Sequence, residues 1–228
     1  MSLLRNISQN FLPKLRAHLL PRIQAARVPS DLALSNQTPL HTVPGGSADL
    51  ADAGPQIPEN VLFKFNRLYF HNTMRINYTT YDIRRAQDTI NTNTECRDVM
   101  VLSKHDNTDS HDDESSAFIY ARVLGICHVN VIQTGTATPD YTPKRLDFLS
   151  VRWFRTISTG SWRMHRLEHV FFPPMADDCS FGFLDPNDVV RACHAIPAFS
   201  FGVQHPDSQG LSLCARDSAD FCQYYIGR

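Results

Sequence analysis

Alternation of apolar and polar residues dominates the chain from about residue 60 onward. The segment VLFKFNRLYFHNTMRINYTTY alternates and is rich in aromatic and β-branched residues, which suit a half-buried pleated surface. Two strands joined around His71 and Asn72 account for this pattern. A short third strand follows at DVMVLS, and the acidic polar loop SKHDNTDSHDDESS comes after it. The first part of this region is therefore predicted to consist of strands.

Two longer apolar segments predict the centre of the sheet. The segment SAFIYARVLGICHVNVIQTG is apolar on both faces for much of its length, as expected for a central strand. After the turn TATPDYTPK, the segment RLDFLSVRWFRTI returns the chain. Alternation places two sets of side chains on opposite faces of this second strand: Leu149, Val151 and Trp153, and Phe148, Ser150, Arg152 and Phe154. We expect the two strands to form a central hairpin.

One short helix is predicted in the second half, at LDPNDVVRACH. Asp185 is suited to cap it, Pro186 fills the first helical position, and Asp188 lies near the positive end of the helix dipole. The segments AIPAFSFG and FCQYYIG predict closing strands with a loop between them. The predicted fold class is β-rich α+β: a small antiparallel barrel or strongly bent sheet with one short helix, plus an N-terminal amphipathic helix.

The N-terminal 59 residues differ in composition from the rest. Residues 1–30 hold five basic residues and no acidic one, and large apolar residues recur at helical spacing. They predict a basic amphipathic helix with Pro13 and Pro21 as candidate breaks. We favour a helix that packs on the rest of a larger protein over a mitochondrial presequence, which is also rich in arginine. Residues 31–59, rich in Ser, Pro, Ala, Gly and Asn, predict a disordered linker before a β-rich domain at 60–228.

Composition narrows the partners and the compartment. The 228 residues include 22 basic and 23 acidic ones, so a net charge of −1 supplies no global field that would attract nucleic acid or an anionic membrane. No apolar stretch approaches the roughly 20 residues needed to cross a bilayer. Six scattered cysteines without a Cys-x-x-Cys pair predict reduced thiols. We therefore expect an intracellular protein of the nucleus or cytoplasm with no membrane contact, and mitochondria are the alternative.

Several groups resemble metal ligands, but each has a more ordinary explanation. The acidic loop lacks apolar residues that would fix it and the glycine register of a calcium loop. His165 and His169 stand four residues apart, but Arg166 occupies the position where a zinc protease needs its glutamate. The pairs Cys127-His128 and Cys193-His194 would each offer one ligand more readily than two, because neighbours in a strand point to opposite faces.

Catalytic motifs are not found in the sequence. It holds no glycine-rich nucleotide loop and no nucleophile elbow, and Arg84 and Arg85 near Asp82 and Asp88 predict local ion pairs. The sequence therefore predicts no catalytic residue, no metal site and no cofactor. The alternative is a metal-binding protein or hydrolase that uses His165, His169 and the Cys-His pairs.

One segment, VRWFRTISTGSWRMHR, interleaves arginines with aromatic residues. Arginines pair with phosphates and exposed aromatic rings stack on bases, a combination typical of single-strand binders on small β-barrels. Trp153 is in phase with the apolar face of its strand and is predicted to be in the core. The predicted nucleic-acid-binding residues are Arg152, Arg155, Trp162, Arg163 and Arg166.

Five segments together resemble one family: INYTTYDIRRAQDTIN, DVMVLS, YARVLGICHVNVI, LDFLSVRWF and FGFLDPNDVVRACHAIPAF. In order and wording they are similar to the C-terminal region of proteins encoded by Plavaka-like and related CACTA-type DNA transposons of mushroom-forming fungi. The segment FLPKLRAHLL resembles the stretch just before that region. The likeness covers about residues 8–20 and 60–226 and favours the packed helix over a presequence.

The resemblance implies a non-catalytic accessory or binding module of transposon origin that contacts DNA or protein. In such transposases the acidic catalytic residues lie upstream, so the chain resembles a truncated part without the nuclease, and an inactive remnant is the alternative. The order of strands is also similar to a small barrel-like module of plant CACTA elements. Cys222 stands where the family has an aromatic residue, and the family's usual continuation is missing. We therefore expect a closing strand to be absent.

Overall fold

A strongly curled, strand-rich half-barrel sheet forms the body of the protein. The computed structural model describes residues 11–25, 61–80, 82–103, 117–133, 141–157 and 167–228. One α-helix and a two-stranded hairpin pack against the sheet. The predicted β-rich class is confirmed, whereas the predicted linker at 31–59 and most of the acidic loop lie outside the described residues.

The described ranges contain one α-helix and eleven strands. Helix α1 spans Phe11–Ala25. The strands are β1 (Val61–His71), β2 (Thr73–Thr79), β3 (Arg85–Asn91), β4 (Asp98–Leu102), β5 (Phe118–Gln133), β6 (Lys144–Trp153), β7 (Arg155–Thr156), β8 (Glu168–Phe171), β9 (Phe181–Leu184), β10 (Val189–Pro197) and β11 (Tyr224–Gly227).

Strand order explains why the sheet curls. The order is β7-β8-β11-β10-β4-β5-β6-β9, and β1 pairs with the C-terminal half of β5. Strands β5 and β6 are antiparallel neighbours from Ala121 opposite Trp153 to Val131 opposite Lys144, which confirms the central hairpin. Phe154 alone separates β6 from β7, yet β7 pairs with β8 at the other end of the order. The sheet therefore bends back on itself.

The first two strands break at Asn72, as predicted, but they do not pair with each other. Strand β1 pairs with β5, whereas β2 pairs with β3 from Thr73 opposite Asn91 to Thr79 opposite Arg85. The β2–β3 hairpin covers the apolar cluster on one face of β4, β5 and β6. Its outer face is polar and exposed, and Arg84 pairs with Asp82 at 2.9 Å as expected.

The predicted short helix is only a single 3-10 turn. Asp185 caps it, accepting a hydrogen bond of 3.0 Å from the Asn187 N–H, and the turn ends at Asp188. Strand β10 then replaces the rest of the expected helix. Val189 and Val190 favour a strand, and antiparallel pairing with β4 and β11 satisfies the backbone on both sides. Tertiary pairing therefore overrides the helical signal after the first turn.

Helix α1 packs on the sheet through one face. Its buried residues Leu15, Leu19 and Ile23 contact a cluster that includes Val61 and Phe148. Pro21 lies inside the helix without ending it. None of the helices in the described ranges is long and apolar enough to cross a membrane.

The C-terminal strand is well integrated in the sheet. Strand β11 pairs with β10 on one side and with β8 on the other. Of the predicted closing strands, FCQYYIG contains β11, whereas AIPAFSFG supplies only the last three residues of β10 and then forms a 3-10 turn at Phe199–Phe201. Both edges of β11 are paired with described strands, so β11 leaves no open edge for the closing strand that was expected to be absent.

Candidate functional sites

Two arginines on neighbouring strands form the centre of a buried ion cluster. Arg122 on β5 lies opposite Arg152 on β6, and like charges at such positions repel each other. Asp220 lies between them and accepts hydrogen bonds from Arg122 Nη1 at 2.8 Å and Arg152 Nη1 at 2.6 Å. Asp98 on β4 pairs with Arg122 Nε at 2.9 Å. All four side chains are at most 4% exposed, so the cluster belongs to the interior.

Aromatic rings surround the two guanidinium groups. Arg152 lies 4.0 Å above the Phe172 ring, and Arg122 lies near the rings of Phe154, Phe172 and Tyr224. Burial alone would lower the pKa of Arg122, but the neighbouring carboxylates hold it above its ordinary value. For Arg152, burial outweighs the attraction of Asp220 and lowers the pKa, but an arginine starts so far above neutral pH that both guanidinium groups stay charged. The cluster ties the C-terminal segment to the sheet.

Of the predicted nucleic-acid-binding residues, Arg152 and Arg155 lie in the described ranges, and they differ in exposure. Arg152 is 1% exposed, so its guanidinium does not reach the surface where a phosphate would lie. Arg155 is exposed and its Nη2 lies 3.4 Å from Cys179 Sγ. Trp162, Arg163 and Arg166 lie outside the described residues. Among the described residues, Arg155 is therefore the exposed arginine of the basic surface that the sequence predicts.

A second buried aspartate organises the loop between β10 and β11. Asp217 is fully buried and accepts hydrogen bonds from the N–H groups of Leu211 at 2.8 Å and Ser212 at 2.9 Å. His205 Nε2 lies 3.0 Å from Asp217 Oδ2, the oxygen that also accepts from Leu211. Burial by itself would raise the pKa of Asp217, but the backbone hydrogen bonds hold it below its usual value. The carboxylate is therefore the anchor of this loop.

Replacing Asp217 with Asn is expected to destabilise the protein at neutral pH by about 1–3 kcal/mol, because charge-assisted hydrogen bonds are lost. A carboxylate with a depressed folded pKa contributes stability that is present above its unfolded pKa, near 3.8, and that is lost as pH falls through the folded pKa. The variant should therefore show a smaller loss of stability below about pH 4. Urea unfolding of both proteins at about six pH values between about 2.5 and 7 gives the free energy of unfolding at each pH and so measures this difference. Parallel pH profiles would contradict the assignment.

The metal ligands considered from the sequence do not meet in the described residues. His169 lies on strand β8, not on a helix, and stacks on Tyr225 with ring centroids 4.6 Å apart. His165 lies outside the described residues. Burial raises the pKa of Cys127 to about 12 and raises that of Cys193 further above its usual range. Their thiols stay protonated, which is unfavourable for metal binding.

A different set of ligand-type side chains does come together. His71, His128 and Asp147 each offer one donor atom, and the three atoms lie within 4.8 Å of one another. His71 Nε2 and His128 Nδ1 are 2.7 Å apart. Burial lowers the pKa of His128, and the charges of Arg145 and His71 lower it further. His128 is therefore neutral near pH 7, and one of its two ring nitrogens is unprotonated and able to bind a metal ion.

Sequence reasoning missed this set because it depends on strand register. His128 was considered only with its neighbour Cys127, whereas its true neighbours come from other strands. Asp147 lies directly opposite it on β6, and Tyr69 lies opposite it on β1. His71 follows Tyr69 by two residues and so shares its face. Once the central hairpin is aligned, the pairing of His128 with Asp147 could have been found.

The outer face of the C-terminal strands carries exposed apolar and aromatic side chains, and Arg155 borders them, because it lies opposite Phe171, two residues from His169 on β8. We call this outer face the C-terminal apolar face; it consists of His169, Ile196, Phe199, Phe201, Val203 and Tyr225. Ile196 lies opposite Tyr225 in the β10–β11 pair. The His169 ring contacts both Tyr225 and Phe201, and burial lowers its pKa so that it is neutral at neutral pH.

This face is exposed and is also held in place. Phe199 is 73% exposed, Phe201 49%, and Ile196 and Val203 41% each. Val203 pairs with Phe221, and the Gln204 N–H donates to the Asp220 carbonyl at 2.8 Å. Because Asp220 is fixed by the buried ion cluster, these contacts attach the segment with the exposed rings to the core.

In comparisons with known proteins, no family model, no curated protein and no solved structure matches the chain.

Proposed function

We propose that the chain is a non-catalytic binding module, of the kind that the resemblance to CACTA-type transposon proteins implies, and that its C-terminal apolar face contacts a protein partner. The observation that carries this proposal is a set of exposed apolar and aromatic side chains that contacts among the described residues hold in place. Surface patches of this kind mark contact sites, and aromatic residues are enriched in protein interfaces. A partner that offers apolar side chains fits this chemistry.

Protein is favoured over nucleic acid as the partner. Nucleic-acid binding depends on several lysine or arginine side chains that neutralise phosphates. Arg152 is used inside the core, and Arg155 is the exposed arginine of the predicted set within the described ranges. Stacking of bases on Phe201 and Tyr225 is the remaining support for nucleic acid. It is therefore an outcome of the test below.

An intracellular location, nuclear or cytoplasmic, fits the proposed role. Cys96, Cys179, Cys214 and Cys222 are free and exposed, which suits a reducing compartment. The buried face of α1 supports a structural helix over a cleaved mitochondrial presequence.

The double variant Phe199→Ser/Phe201→Ser is expected to lose its partner, because truncating central aromatic residues of an interface costs at least about 2 kcal/mol, or roughly thirtyfold in affinity. A photo-crosslinking residue at Tyr225 would be used in an extract of the cells that express the chain. The measurement is the yield of each crosslinked protein, identified by mass spectrometry.

The matched control is Phe70→Ser, since Phe70 is as exposed as Phe199 but lies on β1. The proposal requires a crosslinked species that persists in the control and disappears in the double variant. Equal yields in all three proteins would contradict it. Fluorescence anisotropy with labelled single-stranded DNA is measured in parallel. Salt-dependent binding that weakens in the double variant and in Arg155→Ala would reassign the face to nucleic acid.

A further inference from the structure

Three adjacent strands place two imidazoles and one carboxylate on the same surface of the sheet. His71 lies on β1, His128 on β5 and Asp147 on β6. From this geometry we infer that His71, His128 and Asp147 form a binding site for a divalent transition-metal ion, with zinc the best match. The site lies on other strands than the C-terminal apolar face and goes beyond the proposed function.

The distances suit a single ion. Four-coordinate zinc binds nitrogen and oxygen at about 2.0–2.2 Å, so its ligand atoms lie roughly 3.3–3.6 Å apart. The three donor atoms are all within 4.8 Å of one another, so small side-chain rotations would bring them to that spacing. The contact of 2.7 Å between His71 Nε2 and His128 Nδ1 is a hydrogen bond that the ion would replace.

The surrounding residues fix the ligands in position. The ring of Tyr69 stacks on His128 with centroids 4.6 Å apart and an angle of 7° between the planes. The backbone carbonyl of Asp147 accepts a hydrogen bond from Arg22 Nη1. Ligands carried by paired strands are held more firmly than ligands on a loop, and neighbours of this kind orient metal-binding side chains.

The donor set determines the class of ion. Two imidazoles and a carboxylate suit zinc, copper, nickel or iron(II), whereas calcium and magnesium prefer a shell of oxygens. Three protein ligands leave a fourth tetrahedral position for water or another molecule. All three residues are half-buried, so an ion can enter from solvent.

A substitution at Arg145 distinguishes a metal site from a set of surface hydrogen bonds. Its Nη2 donates to Asp147 Oδ1 at 2.7 Å, so it competes with the ion for the carboxylate and adds a positive charge beside it. Replacing Arg145 with Gln should therefore tighten metal binding several-fold. If the three residues only formed surface hydrogen bonds, this variant would not affect metal affinity.

The test is titration of the metal-free protein with zinc alone, measured by calorimetry. A second titration with cobalt(II) is measured by the visible absorption of the bound ion. We expect one ion per chain, and His71→Ala and His128→Ala should each weaken binding by at least about tenfold, the lower end of the loss known for residues that only support a ligand. His194→Ala is the matched control, because His194 is an exposed strand histidine opposite Gly227. Circular dichroism checks that each variant is folded.

Two results would overturn the inference. One is the absence of stoichiometric zinc binding in the folded chain. The other is binding that is unchanged in His71→Ala and His128→Ala but lost in His105→Ala/His111→Ala, which would assign it to the acidic loop. Binding lost with the two strand histidines and tightened by Arg145→Gln would establish the site.

Discussion

Replacement of Asp220 with Ala is expected to lower the free energy of unfolding by about 3–5 kcal/mol, because it leaves buried charges without a partner. Asp220 is 1% exposed and neutralises Arg122 and Arg152 together. Without it the two guanidinium groups would face each other across the β5–β6 pair, where Asp98 can neutralise only Arg122. For a chain of this size the loss corresponds to roughly 6–20 °C in Tm.

Thermal unfolding followed by circular dichroism measures this effect, with Asp178→Ala as the matched control. The Asp178 side chain is 96% exposed, so its removal should change stability by less than about 0.5 kcal/mol. The double variant Asp220→Ala/Arg152→Met should recover much of the stability, because the unpaired charge is removed and the methionine can pack on Phe172. A double variant no more stable than Asp220→Ala would show that the charge was not the cause.

Replacement of Leu19 with Ala is expected to release helix α1 from the sheet. Leu19 is fully buried against the cluster formed with β1, β5 and β6, and such truncations cost about 2–5 kcal/mol. The helix is only 15 residues long, and isolated helices of this length are marginal in water. Loss of the contact should therefore unfold the helix rather than leave it intact on the surface.

Amide hydrogen exchange of residues 11–25 measures the release. Their exchange should become at least about thirtyfold faster, which corresponds to ~2 kcal/mol, while the amides of β5 change less. Leu12→Ala is the control, because Leu12 is 41% exposed and lies on the same helix. Similar rates for Leu19→Ala and Leu12→Ala would mean that the helix is held elsewhere, for example by the Arg22–Asp185 ion pair at 2.6 Å.

The buried ion cluster is linked to the proposed contact face, because the Asp220 carbonyl accepts a hydrogen bond from the Gln204 N–H and the adjacent Val203 pairs with Phe221. Asp220→Ala is therefore expected to loosen the packing of the C-terminal apolar face and to lower the stability of the core.

Sequence patterns predicted the strands well where apolar residues were continuous or alternated regularly. The long apolar segment became β5, its partner became β6, and the two faces of β6 were assigned correctly from Leu149 and Phe148. The segment after Asp185 was predicted wrongly as a helix, because a capping signal specifies only the first turn. From Val189 onward the β-branched residues and the pairing with β4 favour a strand, and only the pairing is absent from the local sequence.

By itself, the sequence determined the β-rich class, the central hairpin and the apolar face of α1, because all three depend on the spacing of apolar residues along the chain. Only the tertiary structure decided which polar groups meet. It buried Arg152 with Asp220, which are 68 residues apart, and so removed the arginine from the predicted binding surface. It brought His71 to His128 and Asp147 through the register of three strands. Pairing between strands sets these contacts, so the spacing of residues within a single segment does not reveal them.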